Sequence, residues 1–114
     1  MIVKLKFDSR CKLFYNKDKE FKEKGLGMLH LKAVDDGAKT QMVVRAETNL
    51  GNILLNILVG EQMTFKQVKN NVSFVCVPNP PIKGVEGPAS MLVKVKSADM
   101  AGELVKKLQE IQGK

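Results

Sequence analysis

"FKEKGLG", residues 21–27, joins one aromatic, three alternating charges and two glycines that flank a leucine. A Gly-x-Gly can cradle a phosphate, but a dinucleotide fingerprint needs a third glycine and a helix behind it. After Gly27 the chain reads "MLHLKAV", with Leu29 and Leu31 on one side and Met28, His30 and Lys32 on the other. That is the period of a strand, not of a helix. The two glycines therefore belong to a β-segment, where they either permit a bulge or corner or let a second backbone approach closely. Spacing alone leaves both readings open.

The same period extends outward. "RCKLFYN", 10–16, places Cys11, Leu13 and Tyr15 on one side, and "NKDK", 16–19, reads as a polar turn before the extended "EFKEKG". Asp36–Gly37 is a hairpin signal, because glycine accepts positive φ, and "TQMVVRAE" is the returning strand. "NILLNILV" is apolar on both sides and so reads as central or well covered. "NNVSFVCV" brings Val72, Phe74 and Cys76 together, and "ASMLVKVK" turns Met91, Val93 and Val95 inward. Between these last two, four prolines and two glycines in residues 78–88 exclude regular structure and predict a long surface loop.

From Ser97 the period changes. Met100, Ala101, Leu104, Val105, Leu108 and Ile111 recur at spacings of three and four, which makes one helical stripe. Ser97 suits an N-cap, Asp99 the first turn and Gly113 the stop. The expected fold is mainly β, about seven short antiparallel strands in a partly open barrel or sandwich, with one C-terminal amphipathic helix covering an end.

At 114 residues the chain is one domain with a core of its own. The lysines inside "MIVKLKF" exclude a signal-peptide core, and the apolar run 53–59 is too short to span a bilayer, so no membrane insertion is expected. Cys11 and Cys76 lie in strand-like runs and read as reduced, buried small hydrophobes of an intracellular protein. The net charge of +7 comes from seventeen lysines against two arginines, Arg10 and Arg45. Arginine is the fork that reads phosphates and base edges, and stacking aromatics are few; most of them have apolar neighbours and read as core. The charge therefore points to an acidic partner surface and away from nucleic acid. An anionic lipid surface is the alternative, although Asp18, Glu20 and Glu23 dilute the basic stretch 16–24. No enzyme is expected: His30 sits on the solvated side of a strand with no base partner in view, the adjacent Asp35 and Asp36 are turn residues, and no metal-ligand spacing occurs. No cofactor is implied.

"CKLFYNKDKEFKEKGLGMLHL" resembles the opening signature of the Ran-binding domain family: a strand ending in Lys-Leu-aromatic, here Lys12 onward, a short turn, then aromatic-Lys-Glu-Arg-Gly-x-Gly. Phe21 stands where the family usually has tryptophan, and Lys24 stands for its arginine. "VVRAETNLGNILLN" is similar to the family's Arg-x-Asp/Glu segment that ends at an asparagine, here Asn56. The lysine expected after that segment is missing, with Gly51–Asn52 in its place, which implies a weak or assisted interaction. The resemblance implies a pleckstrin-homology-like, seven-stranded bent sheet capped by its helix, with residues 1–9 as a flexible N-terminal arm and 10–114 as the domain. It implies the GTP form of Ran as partner, met by Lys12, Phe21, Lys22, Glu23, Lys24, Gly25, Gly27, Arg45, Asn52 and Asn56, the glycines shaping a bend. It further implies a monomer acting in a nucleoporin at the basket side of the nuclear pore complex, in import, export and importin recycling. Importin β and importin α would be engaged indirectly or through other regions.

Overall fold

A computed structural model of the chain describes residues 7–34, 39–48 and 51–112. Its elements are β1 (Phe7–Lys17), β2 (Glu20–Val34), β3 (Lys39–Ala46), β4 (Ile53–Leu58), β5 (Lys66–Val68), β6 (Asn71–Cys76), β7 (Ala89–Lys94) and α1 (Ala98–Ile111). The strands form one antiparallel sheet in the order β4-β3-β2-β1-β7-β6-β5. The mainly-β fold with one C-terminal helix is as the sequence led us to expect.

Alternation places the core. Phe7, Ser9, Cys11 and Leu13 of β1 are buried, whereas Asp8 and Arg10 between them are exposed. Leu29 and Leu31 of β2, Val44 of β3, Leu55 of β4, Val72 and Phe74 of β6, and Met91 and Val93 of β7 meet them. Each such apolar side chain contributes about 1.5–3 kcal/mol on burial. The stripe of α1 closes this core with Ala101, Leu104 and Leu108, packed against β5 and β6. Ser97 caps the helix, its hydroxyl oxygen accepting from the Met100 N–H at 3.2 Å. Both helix ends are tied to the sheet side: Gln67 Nε2 donates to the Ala98 carbonyl, and Gln112 Nε2 donates to the carbonyls of Gly60 and Met63.

Several local expectations are corrected. Residues 7–9 are not part of an arm: β1 begins at Phe7, because Phe7 and Ser9 continue its buried alternation. The turn after β1 is only Asp18 and Lys19, both at positive φ (55° and 67°), and Asn16 and Lys17 already pair with Phe21 and Glu20. That geometry matches the twist of the two strands it joins. The segments before and after Gly25 are one 15-residue strand, β2, so the count of seven is completed by β5. β5 escaped notice because all three of its residues are exposed and no apolar alternation marks it. Of the two readings of β4, central or well covered, the second applies, since the strand is terminal in the sheet. Its outer edge is covered by the proline-rich loop: the Asn56 N–H donates to the Asn79 carbonyl at 2.6 Å, and Asn79 Nδ2 donates back to the Asn56 carbonyl at 3.0 Å. That loop is not wholly superficial either, since Pro78 and Ile82 are buried. The expected turn at Asp36–Gly37 and stop at Gly113 lie outside the described residues.

Candidate functional site

The first half of β2 is built differently from the second. From Gly27 to Leu31 it pairs with β1 on one side and β3 on the other, whereas residues 20–25 have β1 as their only strand partner among the described residues. Between Leu13 and Phe14 the register shifts: Leu13 faces Gly25 and Phe14 faces Glu23, so Lys24 is the extra residue of a bulge. Gly25 comes next with φ 157°, within the range that favours glycine. Gly27 has a different role. A Cβ there would lie 2.8 Å from the carbonyl carbon of Arg45, so β3 and β2 approach closely only because Gly27 has no side chain. Both readings left open by the spacing thus occur, one at each glycine.

With one strand neighbour missing, the side chains of this half-strand remain in solvent. Phe21 is 48% exposed, whereas Phe7, Phe65 and Phe74 are buried in the core. Lys22 and Glu23 are exposed, while Lys24 and Gly25 are half-buried. The register turns Phe21 and Glu23 to the same face as Phe14 and Lys12, the face opposite Leu13. Glu23 Oε1 lies 3.4 Å from Lys12 Nζ across the strands. At this exposure the pair contributes about 0–1 kcal/mol and orients more than it stabilises. Arg45 shares the face through its pairing with Met28, and its Nη1 donates to the Gly51 carbonyl at 3.1 Å. Lys22, paired with Tyr15, points to the other side.

The remaining residues assigned from the sequence fall outside this group. Asn52 is exposed beside Gly51, and its carbonyl accepts from the Ala46 N–H at 2.7 Å, closing the β3–β4 connection. Asn56 is held in β4, where its Oδ1 accepts from Gln41 Nε2 at 2.5 Å and its backbone binds Asn79. The structure therefore brings Lys12, Phe21, Glu23 and Arg45 to one face and sets Asn56 apart as a clamp for the loop.

Several features were missed. Arg10 grips Glu47 through Nε and Nη2 at 2.5 and 2.9 Å. The hydrogen bond and charge of Arg10 hold the Glu47 carboxyl below the usual range, and Glu47 raises the guanidinium in return. The two residues are 37 apart, and only strand pairing could reveal the contact. His30, expected to lack a partner, has one: its Nδ1 lies 2.5 Å from Asp8 Oδ1, because those residues face each other across β1 and β2. Burial pushes the Cys11 thiol up to about 12 and the half-buried Cys76 thiol to about 11, so both are weak nucleophiles. Among the described residues no His, Cys, Asp and Glu group could hold a metal ion, and no helix is long and apolar enough to cross a membrane.

Comparison with known proteins places this arrangement. The model of the RanBP1 domain matches residues 4–114. The nuclear pore complex protein Nup50 of Homo sapiens is 55% identical over 107 residues, 91% of this chain, and that of Mus musculus is equally similar. The chain spans about 23% of the length of these curated relatives. Among solved structures, the Ran-binding domain of the component Nup2 from Ashbya gossypii superposes with a TM-score of 0.78 at 22% identity, covering 94% of this chain and 92% of that one. The Dm DCP1 EVH1 domain, solved in complex with the XRN1 DBM peptide, shares the fold with a TM-score of 0.69 at 4% identity, covering 94% and 75% of the two chains. With a family match over nearly its whole length and the half-open β2 that carries the family's aromatic-Lys-Glu-x-Gly-x-Gly signature, this chain belongs to the RanBP1 domain family.

Proposed function

We propose that the domain is a binding module for the GTP form of the GTPase Ran. The observation that carries this reading is that exposed Phe21, Glu23 and Arg45 and half-buried Lys12 share one face, with Lys22 on the opposite side of the half of β2 that has only β1 beside it. An exposed aromatic supplies a desolvated anchor, and charges of both signs around it supply orientation and discrimination. The lysine excess favours an acidic partner segment and raises the association rate in a salt-dependent way. The nucleotide preference would follow from an acidic Ran tail that is free only in the GTP form. In this reading the domain belongs to a nucleoporin at the basket side of the nuclear pore complex and assists import, export and importin recycling. Importin β and importin α engage indirectly or through regions beyond these residues.

The test is a pull-down with Ran carrying a GTP analogue or GDP, with and without importin β, at two salt concentrations. The reading expects weak, salt-sensitive retention of the GTP form, strengthened by importin β. Equal retention of both nucleotide forms would remove it.

A further inference from the structure

We propose that Arg10 is a carboxylate-reading residue of the recognition face and that Glu47 is the positioning residue that aims it. This rests on the Ran reading above and adds two side chains to it. The chain holds seventeen lysines and only two arginines. The fold sets both arginines in one row, because Met28 of β2 pairs with Arg10 of β1 on one side and with Arg45 of β3 on the other. Directly paired residues project to the same side of a sheet. Adjacent strands lie about 4.8 Å apart, so the two arginine α-carbons stand roughly 10 Å apart with Met28 between them. Leu26, 55% exposed, lies next to Met28 on the same side of β2.

Both guanidiniums are tethered from the connection after β3. Glu47 takes Arg10 side-on, its two carboxylate oxygens accepting from Nε and Nη2 at 2.5 and 2.9 Å. The Glu47 N–H donates to the Leu26 carbonyl at 3.1 Å, which holds the carboxylate across β2. Arg45 Nη1 donates to the Gly51 carbonyl at 3.1 Å. A guanidinium has five N–H donors. Glu47 takes two of those on Arg10, and the others lie on Nη1 and Nη2, the end-on fork that binds a second carboxylate in bidentate fashion. The Arg10 side chain is 77% exposed, so this fork is open to a partner. A lysine in its place would satisfy Glu47 as a point charge but would have no second planar fork. Glu47 also fixes the guanidinium before the partner arrives, which leaves less ordering for the complex to impose. Its own charge confines the incoming carboxylate to the far end of the guanidinium, since any nearer approach sets two carboxylates side by side. The partner segment that fits carries two carboxylates about 10 Å apart, with an apolar side chain between them over Met28 and Leu26.

The experiment is titration of Ran·GTP and Ran·GDP into the 114-residue chain for the parent, R10K, E47Q and R10K/E47Q, with a thermal melt of each. R10K should weaken Ran·GTP binding about fivefold or more with the melting temperature nearly unchanged, because the charge is kept and the fork is lost. E47Q should weaken it about threefold although it makes the chain more positive, and in the R10K background the same change should cause no loss. Should E47Q not melt cooperatively, R10K decides alone. Binding of R10K within about twofold of the parent would overturn the proposal. So would equal or tighter binding of E47Q, which would make Glu47 at most a competitor of the partner's carboxylates. An equal loss from E47Q in both backgrounds would overturn it too, since Glu47 would then act without Arg10. These outcomes leave the Ran reading standing. A parent that binds neither nucleotide form, or both equally, removes that reading and the proposal with it.

Discussion

The carbonyl of Arg45 occupies the place that a side chain on Gly27 would need. A Cβ there would also lie 3.3 Å from the Ala46 Cα. Both neighbours are main chain and cannot rotate aside. Gly27→Val should therefore cost about 1–3 kcal/mol in a denaturant melt. At Gly60 the nearest atoms to an added Cβ belong to the Met63 side chain at 3.7 Å, so Gly60→Ala should stay within about 0.5 kcal/mol. Equal melts for the two variants would mean that β3 does not approach β2 so closely.

Leu104 is the central contact of the helical stripe and is 1% exposed. Leu104→Ala should lose about 2–5 kcal/mol, the range for a buried leucine whose cavity does not collapse. The cap contributes less: Ser97→Ala should cost about 0.5–2 kcal/mol. A larger loss for the cap than for Leu104 in paired urea titrations would contradict the packing of α1.

For Ran binding, no single lysine should be decisive, because exposed ion pairs contribute only about 0–1 kcal/mol each. Lys22 and Lys24 reversed together should weaken the complex several-fold. Glu23→Lys acts twice, since it removes the partner of Lys12 and puts two cations at the 3.4 Å contact. It should cost more than either lysine change, most visibly at low salt. Titration of the double reversal, the two single lysine reversals and Glu23→Lys against Ran·GTP measures this, and unchanged affinities would move the interface elsewhere.

Burial raises the Cys11 thiol from 9.0 to about 12. The native thiol therefore stays protonated between about pH 9 and 12, where the unfolded thiol has ionised. Unfolding releases a proton in that window, so this group makes stability fall as pH rises through it. Cys11→Ala should flatten the alkaline decline of the melting temperature. At about pH 8, just below the ordinary thiol range, a maleimide should label Cys11 only after denaturant is added. Rapid native labelling would show that the thiol is not buried.

Much of the architecture follows from neighbours in the chain. The alternation around Leu29 and Leu31 and the three-four spacing of Leu104 and Leu108 could be read directly, because side-chain direction in strands and helices repeats with a fixed local period. Ser97 was legible for the same reason, since a cap acts over three residues. The likeness to the family signature also rested on contiguous residues, from Phe21 to Gly27.

What the local pattern could not contain was register. That Lys12 faces Lys94, that Arg10 meets Glu47, and that β4 lies at the sheet's edge all depend on pairing between distant segments. The merging of two extended segments into β2 depends on a bulge at Lys24 that only the neighbouring β1 defines. Phe21 is the clearest case. The resemblance placed it on the partner surface, but the physical reason for its exposure is tertiary: β3 pairs with β2 only from Gly27 onward and leaves the preceding residues with a single strand beside them. Which side chains share a face across strands is set by long-range hydrogen bonding and by where a neighbouring strand begins, and neither leaves a period in the sequence.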